Sequence, residues 1–154
     1  MTIQPVLSHH RRLFAFDHWA NLVALDAVAP VAGRVPRAIE RLNHILGASR
    51  VWLGRVTGEP PPFGLDASFD VVELRREFEA ARAGWEAFLD AQTDADLSRV
   101  IAYGNTQRVA LGDILTHLPL HGQQHRGQIN VDLRAAGITP PSIDYVHAAR
   151  HGRF

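Results

Sequence analysis

The sequence contains no cysteine and no lysine. Without cysteine there is no thiolate nucleophile, no cysteine-bound zinc, no redox dithiol and no disulfide framework. All 16 basic residues are arginine, which excludes Schiff-base chemistry, a P-loop lysine and a lysine general base. Neither sign of charge is in excess, with 16 basic against 16 acidic residues and a pI near 7.2. No global positive field exists to hold a phosphate backbone, so nucleic acid is not an expected partner. Long apolar runs are missing as well. Nothing approaches the ~18 residues needed to cross a bilayer, and the stretch after Met1-Thr2-Ile3-Gln4-Pro5 is broken by Asp17, His18, Asn21 and Asp26 before a signal-peptide core can form. The expectation is a cytoplasmic protein with no membrane partner.

What is present is a chain of 154 residues, 46% of them hydrophobic, enough for one domain over residues 1–154 with a real core. Two proline-rich stretches, residues 58–64 and 139–142, punctuate it and are too short to link separate domains. Phe16, Trp19, Ala20, Val23 and Ala27 recur at helical spacing and predict a first helix over about residues 6–30, stopping near Pro30 and Gly33. Pro36 suits the first turn of a second helix running to about Thr57, with Gly58 as its stop. Asp70 and Glu73 form a capping signal ahead of a third stripe, Val71, Leu74, Phe78, Ala81, Trp85 and Phe88, reaching about Ala91. Leu111, Leu115, Leu118, Gly122, His125, Ile129, Leu133 and Ala136 make a fourth helix ending at Gly137. Before it, residues 100–103 and 106–109 flank Gly104-Asn105, a pair suited to a two-residue hairpin turn. Four amphipathic segments joined mainly by short loops predict an all-α four-helix bundle with a small β-hairpin between helices 3 and 4. Pro119 conflicts with this pattern, because it cannot donate to the Leu115 carbonyl; the fourth helix should kink there or begin later.

With lysine and cysteine gone, acid, base and metal chemistry falls mainly to nine histidines and the carboxylates. The densest stretch is residues 117–128, where His117, His121 and His125 recur every fourth residue. A four-residue step rotates only ~40° around a helix, so successive imidazoles lie above one another and can converge on one ion. Measured from the stripe through Leu111, Gly122 and Ile129, His125 lies ~40°, His121 ~80° and His117 ~120° from its centre. His121 and His125 therefore point nearest the bundle interior. Bundle metal sites draw ligands from facing helices, and the second helix offers only His44. Such a pair also fits a solvated face or a hydrogen-bonded core pair, and His44 alone fits a structural role. Gly122 occupies the slot where zinc proteases need a glutamate general base, which excludes that class.

Residues 18–21 (His-Trp-Ala-Asn), 42–46 with 52–55, 121–128, and 133–137 with 140–145 occur in the order found in a known group of proteins. On these segments, which cover nearly the whole chain, the sequence resembles the DinB family, also called DinB/YfiT-like putative metalloenzymes. The resemblance implies a metal-binding four-helix bundle in which the upstream histidine and two histidines of the fourth helix bind a divalent ion, here His44, His121 and His125. It also implies homodimers, and relatives that carry out thiol-dependent S-transfer or isomerisation. His117 lies outside that triad, as a donor behind it, as an alternate ligand one turn earlier, or as a polar residue near the helix surface. Arg126 is read as a partner for a carboxylate, and Gln128 as a residue that orients a ligand or bonds backbone. Trp19, Trp52 and Trp85 are core residues or pocket walls, Asp144 and Tyr145 cap or latch the tail, and His9, His10, His147 and His151 are exposed.

Imidazole donors suit transition ions better than magnesium or calcium. Nickel and zinc come first, with iron, cobalt and copper behind them. Three imidazoles leave a coordination position open for water or a low-molecular-weight thiol. The leading functional expectation is a metal-dependent transferase or isomerase acting on a small molecule with such a thiol, with no residue assigned a catalytic role. The alternatives are a non-catalytic metal-binding or stress-response bundle whose ion is structural, and a homodimerising helical module. Metal binding is expected to fall below about pH 6, as imidazoles of ordinary pKa ~6.5 protonate.

Overall fold

The computed structural model describes residues 5–154; Met1 to Gln4, part of the N-terminal reading above, lie outside the described residues. Four long helices, α1 (Pro5–Val28), α2 (Pro36–Thr57), α3 (Val71–Asp90) and α4 (Leu111–Ala135), are followed by a short α5 (Tyr145–Arg150). None of the described helices is long and apolar enough to cross a membrane. The α1 helix gives way at Val28 to a 3₁₀ segment, Ala29–Arg34, slightly earlier than periodicity predicts. Pro30 lacks the N–H that an α-helix would need there. Gly58 closes α2 in the left-handed region at φ 80°, donating to the Gly54 carbonyl. At the start of α3 the Asp70 carboxylate accepts from the N–H groups of Val72 and Glu73, and Glu73 returns a bond from the Asp70 N–H.

Between α3 and α4 lies an antiparallel hairpin, β1 (Val100–Tyr103) and β2 (Gln107–Ala110). Tyr103 faces Gln107, so the turn has three residues rather than the expected Gly104-Asn105 pair. A type I′ turn needs positive φ at both central residues; Gly104 has it, at 57°, and Asn105 does not. The α4 helix runs unbroken through Pro119, which excludes a later start. The imidazole of His10 interacts with the backbone of Leu115, whose carbonyl Pro119 cannot serve. His10 is accordingly buried, against the expectation that it is exposed, while His9, His147 and His151 lie at the surface. It sits one turn beyond the buried Leu7, on the inward face of α1.

The direction of each helix follows from which of its ends joins which core cluster. One cluster gathers Leu7 of α1, Val56 of α2, Trp85 and Leu89 of α3, and Leu111, Ile114, Leu115 and Leu118 of α4. The other gathers Leu25 and Val28, Leu42 and Ile45, Leu74 and Phe78, and Ile129 and Leu133 from the same helices. So α1 and α4 run one way, and α2 and α3 run the other. Two consecutive parallel helices need a connection that travels back along the bundle, so residues 58–70 form a crossover instead of a short loop. Gly54 and Gly47 of α2 let it lie close: an added Cβ on Gly54 would come 3.1 Å from Pro61 Cδ, and one on Gly47 3.2 Å from Leu65 Cα. Asn43 pins its far end. Its amide oxygen accepts from Phe69 N–H at 2.7 Å, and its Nδ2 donates to Phe69 and Ile39 carbonyls, each at 3.1 Å. The tail then folds back on α1, with Asp144 capping α5 and Tyr145 and Phe154 packed on Phe16, as the latch reading anticipates.

Asn43→Ala should cost about 2–3 kcal/mol in urea unfolding, because it leaves the Phe69 amide without its partner. A loss below about 0.5 kcal/mol would mean that the crossover holds without it.

Candidate metal centre

Between the two apolar clusters lies a layer of polar side chains from α1, α2 and α4. His121 and His125 occupy successive turns of α4, and His44 projects from α2 to meet them; all three are half-buried. The Nε2 atoms of His44 and His121 are 3.1 Å apart, and those of His121 and His125 3.2 Å apart. Their ligating nitrogens all fall within 4.8 Å of one another. Two nitrogens of a tetrahedral zinc ion, each ~2.0–2.1 Å from it, are separated by about 3.3–3.4 Å, so both close spacings fit one ion. Without a cation, His121 Nε2 has a single proton or lone pair, and it can form a linear hydrogen bond to only one neighbour. This donor set of three imidazoles could hold a metal ion.

The tautomer of His125 is set from outside the cluster. Its Nδ1 lies 2.9 Å from Gln128 Oε1, and that oxygen also accepts from Arg41 Nη1 at 2.7 Å. Arginine only donates, so the amide of Gln128 presents its oxygen and His125 Nδ1 carries the proton. The lone pair is then on Nε2, facing His121, as ligation requires. Arg41 is itself held by Asp132, with Nε 2.9 Å from Oδ2. Of the two roles expected for Gln128, bonding backbone is not what its side chain does here; it bonds the ring of His125, a candidate ligand.

Arg126 points the other way, fully buried, toward α1. Nη1 donates to Asp17 Oδ1 at 2.6 Å and to Asn21 Oδ1 at 2.5 Å, Asn21 Nδ2 donates to Asp17 Oδ2 at 3.2 Å, and Gln123 Oε1 accepts from Nε and Nη2. A buried guanidinium is tolerable because its donors are matched this closely. Gly122 is explained by the same pair: a Cβ there would press on Asp17 Oδ1 and lie 2.8 Å from Arg126 Nη1. The sequence reading foresaw a carboxylate partner for Arg126 but did not identify Asp17. The four-residue spacing of Asp17 and Asn21 on α1 was the available signal.

His117 is exposed, its ring 5.4 Å from that of His121, and it stays outside the group of three. Trp85 alone of the three tryptophans walls a cavity, about 330 Å³ in volume, that lies among α1 to α4 and has His121 on its lining. Its indole N–H donates to Ser49 Oγ at 2.9 Å. Trp52 instead packs on Tyr103 under Arg55, and Trp19 packs on Phe16. Also on the cavity wall is His18, for which the sequence indicated no role in a site.

Burial favours the neutral form of His121 and His44. His121 is lowered to about 4 by desolvation and then by His125, His44 and His117, and His44 is lowered by desolvation and then by His125. These two rings therefore take up protons at a lower pH than the free-imidazole value behind the expected pH 6 edge. Burial pushes the Asp17 carboxyl upward, and Arg126 only partly pulls it back. The unfolded chain binds protons to His121 near pH 6.5 and the folded chain only near 4. Stability linked to this group is present above about 6.5 and is lost as pH falls toward 4.

In comparison with known proteins, a family model described as the DinB family matches residues 12–152. No curated protein matches the chain.

Two measurements check this geometry. In metal-free protein the His121 ring should titrate near pH 4 by NMR; a midpoint near 6.5 would contradict its burial among imidazoles. Gly122→Ala should destabilise by about 1–3 kcal/mol through overpacking. Gly127→Ala, with open space around the added methyl, should stabilise by roughly 0.5–1 kcal/mol. Equal effects of the two would refute the role of Gly122 in admitting the ion pair.

Proposed function

The chain belongs to the DinB family, and from that premise we propose that His44, His121 and His125 bind one divalent transition ion in a metal-dependent enzyme of thiol-dependent transferase or isomerase type. The convergence of three imidazoles, with two of their Nε2 spacings close to that of a tetrahedral ion and all ligating nitrogens within 4.8 Å, carries the metal half of this reading. Zinc and nickel fit the donors best. The thiol half rests on the family likeness, and is chemically apt for a chain with no cysteine of its own.

A divalent ion with an open position supplies a lowered pKa for a bound water or thiol, so that a nucleophile forms near neutral pH. The protein's part is to present and hold the ligands. His44 and His121 stay unprotonated because they are shielded from water. Gln128, gripped by Arg41, keeps the proton of His125 on Nδ1. Arg126 ties the helix carrying both histidines to α1 through Asp17 and Asn21, which fixes the rotation of α4 against the cavity. His121 is shared between the cluster and the cavity wall, so a substrate in the cavity lies beside the proposed centre. That adjacency favours a catalytic ion over one that only fastens α2 to α4.

Protein purified without an affinity tag should contain close to one equivalent of metal by mass spectrometry, and His44→Ala and His121→Ala should lose it. Metal retained in both variants would refute this ligand set. With metal in place, the protein should accelerate consumption of glutathione, bacillithiol or mycothiol by an electrophile, and chelation should stop it. If chelation lowers the melting temperature while no thiol is ever consumed, the ion is structural.

A further inference from the structure

The cavity beside His121 has a lining whose chemistry selects its occupant. Its volume, about 330 Å³, lies at the small end of ligand pockets. Aromatic and aliphatic side chains from all four long helices form its walls, among them Phe14, Phe78, Trp85 and Leu118, and the Phe14 and Trp85 rings pack 4.9 Å apart. Such walls favour a flat unsaturated body.

Each charge on its wall already has an opposite charge or a carbonyl beside it. Arg11 donates to the Leu89 carbonyl at 2.9 Å and lies 3.5 Å from Asp90, and Arg82 donates to Glu86 at 2.7 Å and lies 3.9 Å from Glu79. The Asp17 carboxylate faces Arg126. An entering carboxylate or phosphate would find no unpaired guanidinium, and would meet Asp17, Glu86 and Asp90 on the lining. Anion sites are built the other way, with free arginine forks.

Two polar groups remain available to a neutral ligand. Ser49 accepts from Trp85 and keeps its own O–H to donate. His18 Nε2 is buried with no aligned hydrogen-bond partner, although Glu79 Oε1 lies 3.4 Å away. Desolvation lowers the pKa of His18 against the opposing pull of Glu79, so the ring adds no cation at neutral pH. A ligand carbonyl would give Nε2–H a closer and better aligned acceptor than the Glu79 carboxylate.

We propose that this cavity binds the carbon substrate of the centre, and that the substrate is a neutral, flat, unsaturated carbonyl compound that accepts a hydrogen bond from His18. The inference rests on the proposed metal function for its chemistry, but the binding step can be measured without metal.

The test uses an isosteric pair, naphthalene-2-carboxamide and 2-naphthoate, titrated calorimetrically into the full chain with and without zinc. In zinc-free protein the amide should bind at least about tenfold more tightly than the carboxylate, the factor expected when an anion must displace a paired charge. His18→Phe keeps the ring's bulk and should weaken amide binding about fivefold to tenfold through the lost hydrogen bond. Ala15→Trp, at an exposed position on the cavity's lining, should abolish binding while leaving the circular-dichroism melting curve intact. The inference is overturned if the amide does not bind, if the carboxylate binds as tightly in zinc-free protein, or if Ala15→Trp leaves binding unchanged. An unchanged amide affinity in His18→Phe would overturn it as well, since the carbonyl would then not be held by His18. Zinc stoichiometry, measured on the same samples, reports separately on the metal centre.

Discussion

Three imidazole rings meet in one half-buried layer of the bundle, and to hold a cation together they have to present lone pairs, in the right tautomers, from fixed positions. Burial keeps His44 and His121 unprotonated, and the Arg41–Gln128 pair orients His125. The buried Arg126–Asp17 pair anchors α4 to α1 on the opposite side. Each of these contacts joins two helices. The polar layer is therefore a structural element of the bundle as well as the candidate metal centre, with an apolar cluster above it and another below.

The motif on α4 follows from this arrangement residue by residue. His121 and His125 face α2, and Gln128 reaches back one turn to the ring of His125. Arg126 takes the α1 side, and Gly122 is small because Asp17 and Arg126 occupy the volume of its missing Cβ. Gly127 follows no such constraint, since nothing approaches it. One of the two glycines in the stretch is thus required by packing and the other is not.

Much of the frame was legible in the sequence because it depends on local periodicity and capping. Asp70 with Glu73, Pro36, Gly58 and Gly137 marked helix ends by their own backbone chemistry. The candidate triad was legible through rotation angles on one helix together with the family likeness, and the exposure of His117 follows the same angular order. What was not legible depends on distant partners. Asp17 meets Arg126 across 109 positions of chain, and the parallel course of α2 and α3 goes with a crossover whose far end Asn43 holds at Phe69, 26 positions away. His10 was misread because its environment includes the carbonyl left open by a proline on another helix. The cavity could not be seen at all, since four helices each contribute part of its wall.

X-ray absorption on the zinc-loaded protein tests the central claim most directly. The account predicts three imidazole nitrogens and at least one oxygen at about 2.0–2.1 Å from zinc, with the imidazole count reduced in His44→Ala. Four imidazoles with no oxygen, or a spectrum unchanged by that substitution, would contradict a centre built from His44, His121 and His125 with a position left open.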